Sequence, residues 1–235
     1  MQSPDFGTHL THQPTLQPNH QSRPLADFRI AFHVIDKSYP DLDDASYDPL
    51  RKRVFQHIDN LRASFPNLNE VKGMRILDVA CGSKCYVDNA RGKYDPWMSR
   101  LLVFLGAEPS GLDTAEQRGE NFETLKVDLT NPDALEVLKS DSFDAYYICA
   151  FPTRKAIKHL VEKGLEWPAV RENILSHLNR ALKPGGVVIK QFTPADEALV
   201  ADTLKTLSPP AETPAPTMPP PYRRSMWRHY EDDDL

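Results

Sequence analysis

The 235 residues carry 33 acidic and 28 basic side chains, a formal net charge of −5, which sets up no global positive field for nucleic acid or an anionic membrane. Hydrophobic residues make up 40% of the chain, enough for one α/β domain with extensions, and no apolar run approaches the roughly 20 residues of a membrane span. Cys81, Cys85 and Cys149 form no disulfide framework, and the N-terminus lacks the apolar stretch of a signal peptide, so a reduced, cytoplasmic setting is expected.

Residues 1–24 are polar and without period, which predicts a disordered tail; His9, His12 and His20 are spaced too irregularly for a metal tract. Residues 28–39 turn apolar and aromatic through Phe28, Ile30, Phe32, Val34 and Ile35, which suits either a helix or a strand packed on the main domain. Asp44 or Ser46 can cap a helix over 47–64 whose Leu50, Val54, His57, Ile58 and Leu61 share a face. On that stripe, His57 reads as a packed core histidine.

Residues 74–80 are short and almost wholly apolar, the pattern of a buried parallel strand. Asp95-Pro96 predicts an N-cap with proline at the first helical position. The helix should run to 105, with Trp97, Leu101, Leu102 and Leu105 inward and Gly106 as its stop. Further strands are expected over 109–113, 124–129, 143–149 and 187–191, the last after a Lys183-Pro184-Gly185-Gly186 turn. Helices are expected over 131–138, 170–182 and 195–207. Strands alternating with helices imply parallel βαβ units, a three-layer α/β sandwich around a mostly parallel sheet. Residues 208–221 are proline-dense, 222–230 can add a last strand, and 231–234 form an acidic tip. The expected organisation is a tail over 1–24, a helical cap over 25–73, the main domain over 74–207 and a proline-rich extension over 208–235.

In an open parallel sheet, ligands sit beyond the carboxyl ends of the strands, and the notable residues gather there. The first strand ends Ile76-Leu77-Asp78-Val79-Ala80-Cys81-Gly82-Ser83. The next two end Ser110-Gly111-Leu112-Asp113 and Leu125-Lys126-Val127-Asp128-Leu129. Ser142-Phe143-Asp144 opens the fourth, and Leu182-Lys183-Pro184-Gly185-Gly186-Val187-Val188-Ile189 leads into the fifth. In this order, over residues 74–191, these segments resemble the class I S-adenosylmethionine-dependent methyltransferases. The resemblance implies a Rossmann-like methyltransferase fold with its C-terminal antiparallel part reduced, and S-adenosyl-L-methionine as cofactor. It implies that Asp78, Ala80, Cys81, Gly82 and Ser83 form the loop the cofactor approaches closely. Asp113, with Thr114 beside it, would accept the ribose hydroxyls. Asp128 and Leu129 would meet the adenine, and Cys149 would lie near the pocket. The family places glycines where this chain has Ala80 and Lys84, and Lys84 sets a cation beside a positively charged cofactor unless it turns to solvent. Asp78 and Asp113 stand 35 residues apart and Asp113 and Asp128 only 15, which implies an extra loop over 84–94 and a stunted second helix.

Methyl transfer from a sulfonium is an in-line displacement in which alignment supplies much of the rate, so no catalytic residue is named. The acceptor pocket is expected from 150–154 and 33–39, with Phe151 as a wall, Arg154 to orient an anionic group, and Tyr39. A small-molecule acceptor is expected. His159 reads as a surface-helix histidine. Methylation of base amino groups is disfavoured, because Cys149-Ala150-Phe151-Pro152 lacks the Asn or Asp before two prolines that such families carry. Lys190 stands where RNA ribose methyltransferases carry a catalytic lysine, and Arg223, Arg224, Trp227 and Arg228 can touch nucleic acid, which makes that reaction an alternative. Against it stand the acidic chain and the missing partner acid. A non-catalytic cofactor-binding or interaction protein on the same fold is the other alternative, raised by Lys84. A nicotinamide-cofactor enzyme is disfavoured, since Gly82 stands alone and no G-x-G-x-x-G opens a helix. Cys81 and Cys85 lack the further ligands a metal needs.

Overall fold

The computed structural model describes residues 23–86, 89, 92–148 and 151–207. The segment that reads as helix or strand is a helix, α1 (Leu25–Ser38). Its buried residues are Asp27, Ala31, Val34 and Ile35, a helical spacing that leaves Phe28 and Phe32 exposed. α2 (Asp44–Ser64) buries the whole stripe Leu50, Val54, His57, Ile58 and Leu61. Neither Asp44 nor Ser46 is its cap. The Asp43 side chain accepts from the Ser46 N–H at 2.7 Å, because only the residue outside the first turn can turn its carboxylate back onto those free N–H groups.

Five strands follow: β1 (Arg75–Val79), β2 (Glu108–Asp113), β3 (Glu123–Lys126), β4 (Phe143–Ile148) and β5 (Leu182–Lys190). They form one sheet in the order β3-β2-β1-β4-β5, and every neighbouring pair is parallel. From β1 the chain steps outward through β2 to β3, then returns to place β4 on β1's other side. The carboxyl edge around β1 is therefore the topological switch point where such sheets bind ligands. Two apolar layers make the three-layer, Rossmann-like sandwich. On one face α1, α2 and α3 (Trp97–Phe104) pack on Ile76, Ala145, Tyr147 and Ile189. On the other, α5 (Trp167–Ala181) and α6 (Pro194–Leu207) pack with Leu77, Val79, Tyr146 and Ile148. α4 (Arg154–Glu162) joins that layer through Ile157 and Leu160. Residues 25–73, read from the sequence as a cap, thus supply a layer of the sandwich itself.

Several expectations are corrected. Asp95 does not cap α3: the helix starts at Trp97 with Pro96 in the cap position, and the Asp95 carboxylate is drawn instead to Tyr39, Asn89 and Arg100. β3 stops at Lys126, so Asp128 lies beyond the strand. The expected helix over 131–138 is a six-residue 3-10 turn, Pro132–Val137. β5 already begins at Leu182, and its pairing with β4 slips between Phe143↔Leu182 and Ala145↔Val187. The Lys183–Gly186 turn is absorbed as an irregularity within the strand rather than preceding it. The expected strand over 222–230 and both terminal tails lie outside the described residues. No helix among the described residues is long and apolar enough to cross a membrane.

Candidate functional site

Alternation along β1 sends Ile76 and Asp78 to the α3 side of the sheet and Leu77 and Val79 to the other. Asp78 is fully buried. Ser99, on the inner face of α3, donates its hydroxyl to Asp78 Oδ2 at 2.6 Å, while Oδ1 has no hydrogen-bond partner among the described residues. Burial pushes this carboxyl up to about 7, Ser99 pulls it back in part, and the nearby Asp113 charge adds to the rise. A buried acceptor oxygen without a donor is a costly arrangement, and it leaves Asp78 with accepting capacity to spare, as Gln117 Oε1 also has among the described residues.

The chain then bends sharply. Ala80 takes a left-handed φ of 55°, the conformation a glycine adopts without strain. Cys81 is buried, its N–H donates to the Leu112 carbonyl at 3.1 Å, and burial raises its thiol far above the ordinary range, leaving it an inert packing group. Gly82 has φ 88°, and a Cβ there would lie 2.2 Å from the Tyr94 carbonyl oxygen. The close backbone approach that the sequence reserves for a ligand is thus made by the chain itself. Ser83 is buried, gives its hydroxyl to the Glu116 carbonyl and accepts from the Cys85 N–H at 3.0 Å. Gln117 closes the other side by donating to the Gly82 carbonyl. Gly111 in β2 answers a packing need, since a Cβ there would meet Phe122 at 2.7 Å and the Cys81 sulfur at 3.0 Å.

Asp113 ends β2 and is the hub of this edge. Its Oδ2 accepts the Gly82 N–H at 2.9 Å. Its Oδ1 accepts the Ala115 N–H at 3.2 Å and the phenol of Tyr86. Thr114, exposed, holds its hydroxyl 3.2 Å from the same phenol oxygen. The backbone of Asp113 accepts from the Val127 N–H at 2.8 Å, which brings Asp128 alongside. Asp128 accepts from the Thr130 N–H and hydroxyl at 2.9 and 2.7 Å and pairs with Lys163 at 3.5 Å. Partial burial works to raise its carboxyl, but the Thr130 bonds and the Lys163 charge prevail and hold it below the usual carboxylate range. Leu129 points into the core. A cleft of about 230 Å³ lies between residues 115–118 and Thr124, Leu125 and Lys126 of β3.

The segment after Ser83 is tied down by a buried polar chain. Lys84 turns toward Glu120, 4.0 Å away, which removes its charge from the strand end. Glu120 accepts two bonds from Arg100 at 2.7 and 3.1 Å, and Arg100 also pairs with Asp95. Asp95 accepts from Asn89 at 2.6 Å and from the Tyr39 hydroxyl at 2.9 Å. Tyr39 is pushed up to about 12, by burial first, then by its hydrogen bond to Asp95 and the Asp95 charge.

The acceptor-side residues do not converge with this group. Phe151 is buried in an aromatic trio, 5.9 Å from Trp167 and 6.4 Å from Phe192 between ring centres, so it is core rather than an open pocket wall. Arg154 is exposed and pairs with Asp202 of α6 at 3.1 Å, and His159 is exposed on α4 beside Glu162. Tyr39 serves the Asp95 network. Lys190 ends β5 opposite Tyr147. Cys149 lies outside the described residues, as do Arg223, Arg224, Trp227 and Arg228. Two residues central to the site were not singled out from the sequence. Ser99 carries no signal beyond its place on α3's inner face. Tyr86 was hinted at only by the extra loop that contains it.

No protein-family model matches the sequence, and no curated protein matches it.

Proposed function

We propose that the carboxyl edge of β1, β2 and β3 binds S-adenosyl-L-methionine and that the chain is a methyltransferase acting on a small molecule. The observation that carries this reading is the row of acids, Asp78, Asp113 and Asp128, at or just beyond the ends of three adjacent parallel strands at the switch point. The set of acceptors suits the cofactor. Asp78 keeps an unused acceptor oxygen for a cationic group, Asp113 is an acceptor for a diol, and Asp128 follows β3, whose Thr124, Leu125 and Lys126 line the cleft. When bound, the cofactor supplies an electrophilic methyl group. The protein's part is to hold it in line and exclude water. Lys84, held toward Glu120, does not oppose a sulfonium at the strand end.

A second reading has its own support. Both Asp113 oxygens and the space above Gly82 are already filled by the chain, as they would be in a non-catalytic interaction protein that has closed the edge for good.

Titration calorimetry of the full chain with S-adenosylmethionine tests the first reading, and transfer of a labelled methyl group to a metabolite extract tests the reaction. Binding that weakens in Asp113→Asn supports the site. Absence of binding at millimolar cofactor sinks it, and binding without transfer to any acceptor favours the second reading.

A further inference from the structure

We propose that Tyr86 is a built-in competitor for Asp113: its phenol holds the carboxylate that the cofactor's ribose hydroxyls require, so the site is closed until Tyr86 is displaced. This rests on the reading of Asp113 as the cofactor's diol acceptor.

The two donors are chemically alike. A phenol and a sugar hydroxyl are both neutral O–H donors, and each gains most from an ionised acceptor. A carboxylate offers about four lone-pair positions. The Gly82 N–H takes one on Oδ2 at 2.9 Å and the Ala115 N–H one on Oδ1 at 3.2 Å, and both belong to the backbone that shapes the strand end. Tyr86 and Thr114 add their hydroxyls on Oδ1. Of these, Tyr86 is the group whose departure does not dismantle the turn. Its ring meets Tyr94 edge-on at 5.9 Å, and only the Tyr86 hydroxyl has to leave Asp113 for the carboxylate to be freed. Burial and the Asp113 bond both raise the Tyr86 phenol well above the ordinary tyrosine range, so it stays a protonated donor at any physiological pH.

An internal donor that must leave lowers apparent affinity by the fraction of time the site is open. A hydrogen bond to a charged acceptor is worth roughly tenfold to a hundredfold in such an equilibrium. Calorimetry with S-adenosylmethionine on the full-length wild type, Tyr86→Phe and Asp113→Asn reads this directly. Tyr86→Phe keeps the ring and loses only the donor, and it should bind about tenfold or more tightly than wild type, while Asp113→Asn binds more weakly. Equal affinity of wild type and Tyr86→Phe, with Asp113→Asn still weakened, overturns the competition and leaves the cofactor site standing. Failure of both wild type and Tyr86→Phe to bind overturns the site and the competition together.

Discussion

The Tyr39 hydroxyl donates to Asp95 Oδ2 at 2.9 Å, and this bond joins the end of α1 to the residue that leads into α3. Asp95 is buried and also accepts from Arg100, which in turn grips Glu120. The strand-end loop is thus fastened to the layer of helices rather than to the sheet alone. Its stiffness is set by a charge network more than 50 residues away in sequence from α1's last turn.

Removing one member of a buried ion pair leaves the other uncompensated and costs about 3–5 kcal/mol. Asp95→Ala should destabilise the protein by about that much, and Tyr39→Phe by about 1.5–3 kcal/mol for a lost bond to a charged acceptor. The two losses are not independent. In urea denaturation, adding Tyr39→Phe to Asp95→Ala should shift the midpoint hardly at all, since the phenol has already lost its acceptor. Full additivity of the two losses would show that Tyr39 acts elsewhere.

Ala80 and Gly82 share a left-handed backbone, so exchanging alanine and glycine acts in opposite directions at the two positions. A non-glycine residue at φ 55° bears roughly 1–2 kcal/mol of strain, of which a glycine would return part to unfolded-chain entropy. Ala80→Gly should therefore raise stability by about 0.5–1 kcal/mol, seen as a higher denaturation midpoint at constant m-value. Gly82→Ala meets both a left-handed φ and a carbonyl oxygen at 2.2 Å. A loss of about 2–4 kcal/mol is expected, and a neutral outcome would mean that Tyr94 does not press on this turn.

How far the sequence reveals this molecule depends on how each segment is buried. β1 and β4 are legible because central parallel strands are covered on both faces and read as largely apolar runs, whereas β2 is buried but has Leu112 as its one large aliphatic side chain and is marked by the acid at its end. β3 is an edge strand with little burial, so its end is misplaced by three residues, and with it Asp128's relation to the sheet. α1 misleads because Phe28, Ile30, Phe32 and Val34 alternate like a strand, whereas only Val34 of these is in the core. The acids of the candidate site are visible as strand-end residues. What occupies them is not, because the Tyr86–Asp113 and Asp95–Arg100 contacts are set by how the segment after Ser83 folds back, and no local period encodes that.

Asp78 and His57 make the last prediction, on pH. Asp78 is raised from 3.8 to about 7. His57 is lowered from 6.5 to about 3, by burial and then by the Arg53 and Lys190 charges; its Nδ1 lies 3.1 Å from the Tyr147 hydroxyl, which also accepts from Asn60 at 2.9 Å. Between about pH 4 and 7, native Asp78 keeps a proton that the unfolded chain has released, so its contribution to stability falls as pH rises through that window and is level above it. His57 works the other way. Below 6.5 the unfolded chain takes up a proton that the native imidazole refuses, so stability falls as pH drops from 6.5 toward 3. Between about 4 and 6.5 the two slopes oppose each other, each up to about 1.4 kcal/mol per pH step, and from these two groups the wild type should show only a shallow dependence there. Asp78→Asn removes one slope. That variant should be more stable than wild type at about pH 8 and should lose its advantage steadily on acidification, as the unopposed His57 slope appears. His57→Gln, which keeps an acceptor for Tyr147, should show the reverse, with stability falling from about pH 4 to 7. Denaturant midpoints of the three proteins across that range test the pair. A pH profile of Asp78→Asn parallel to wild type would mean that the Asp78 carboxyl is already ionised in the native state, and the unused Oδ1 would then have found a donor that the folded chain does not supply.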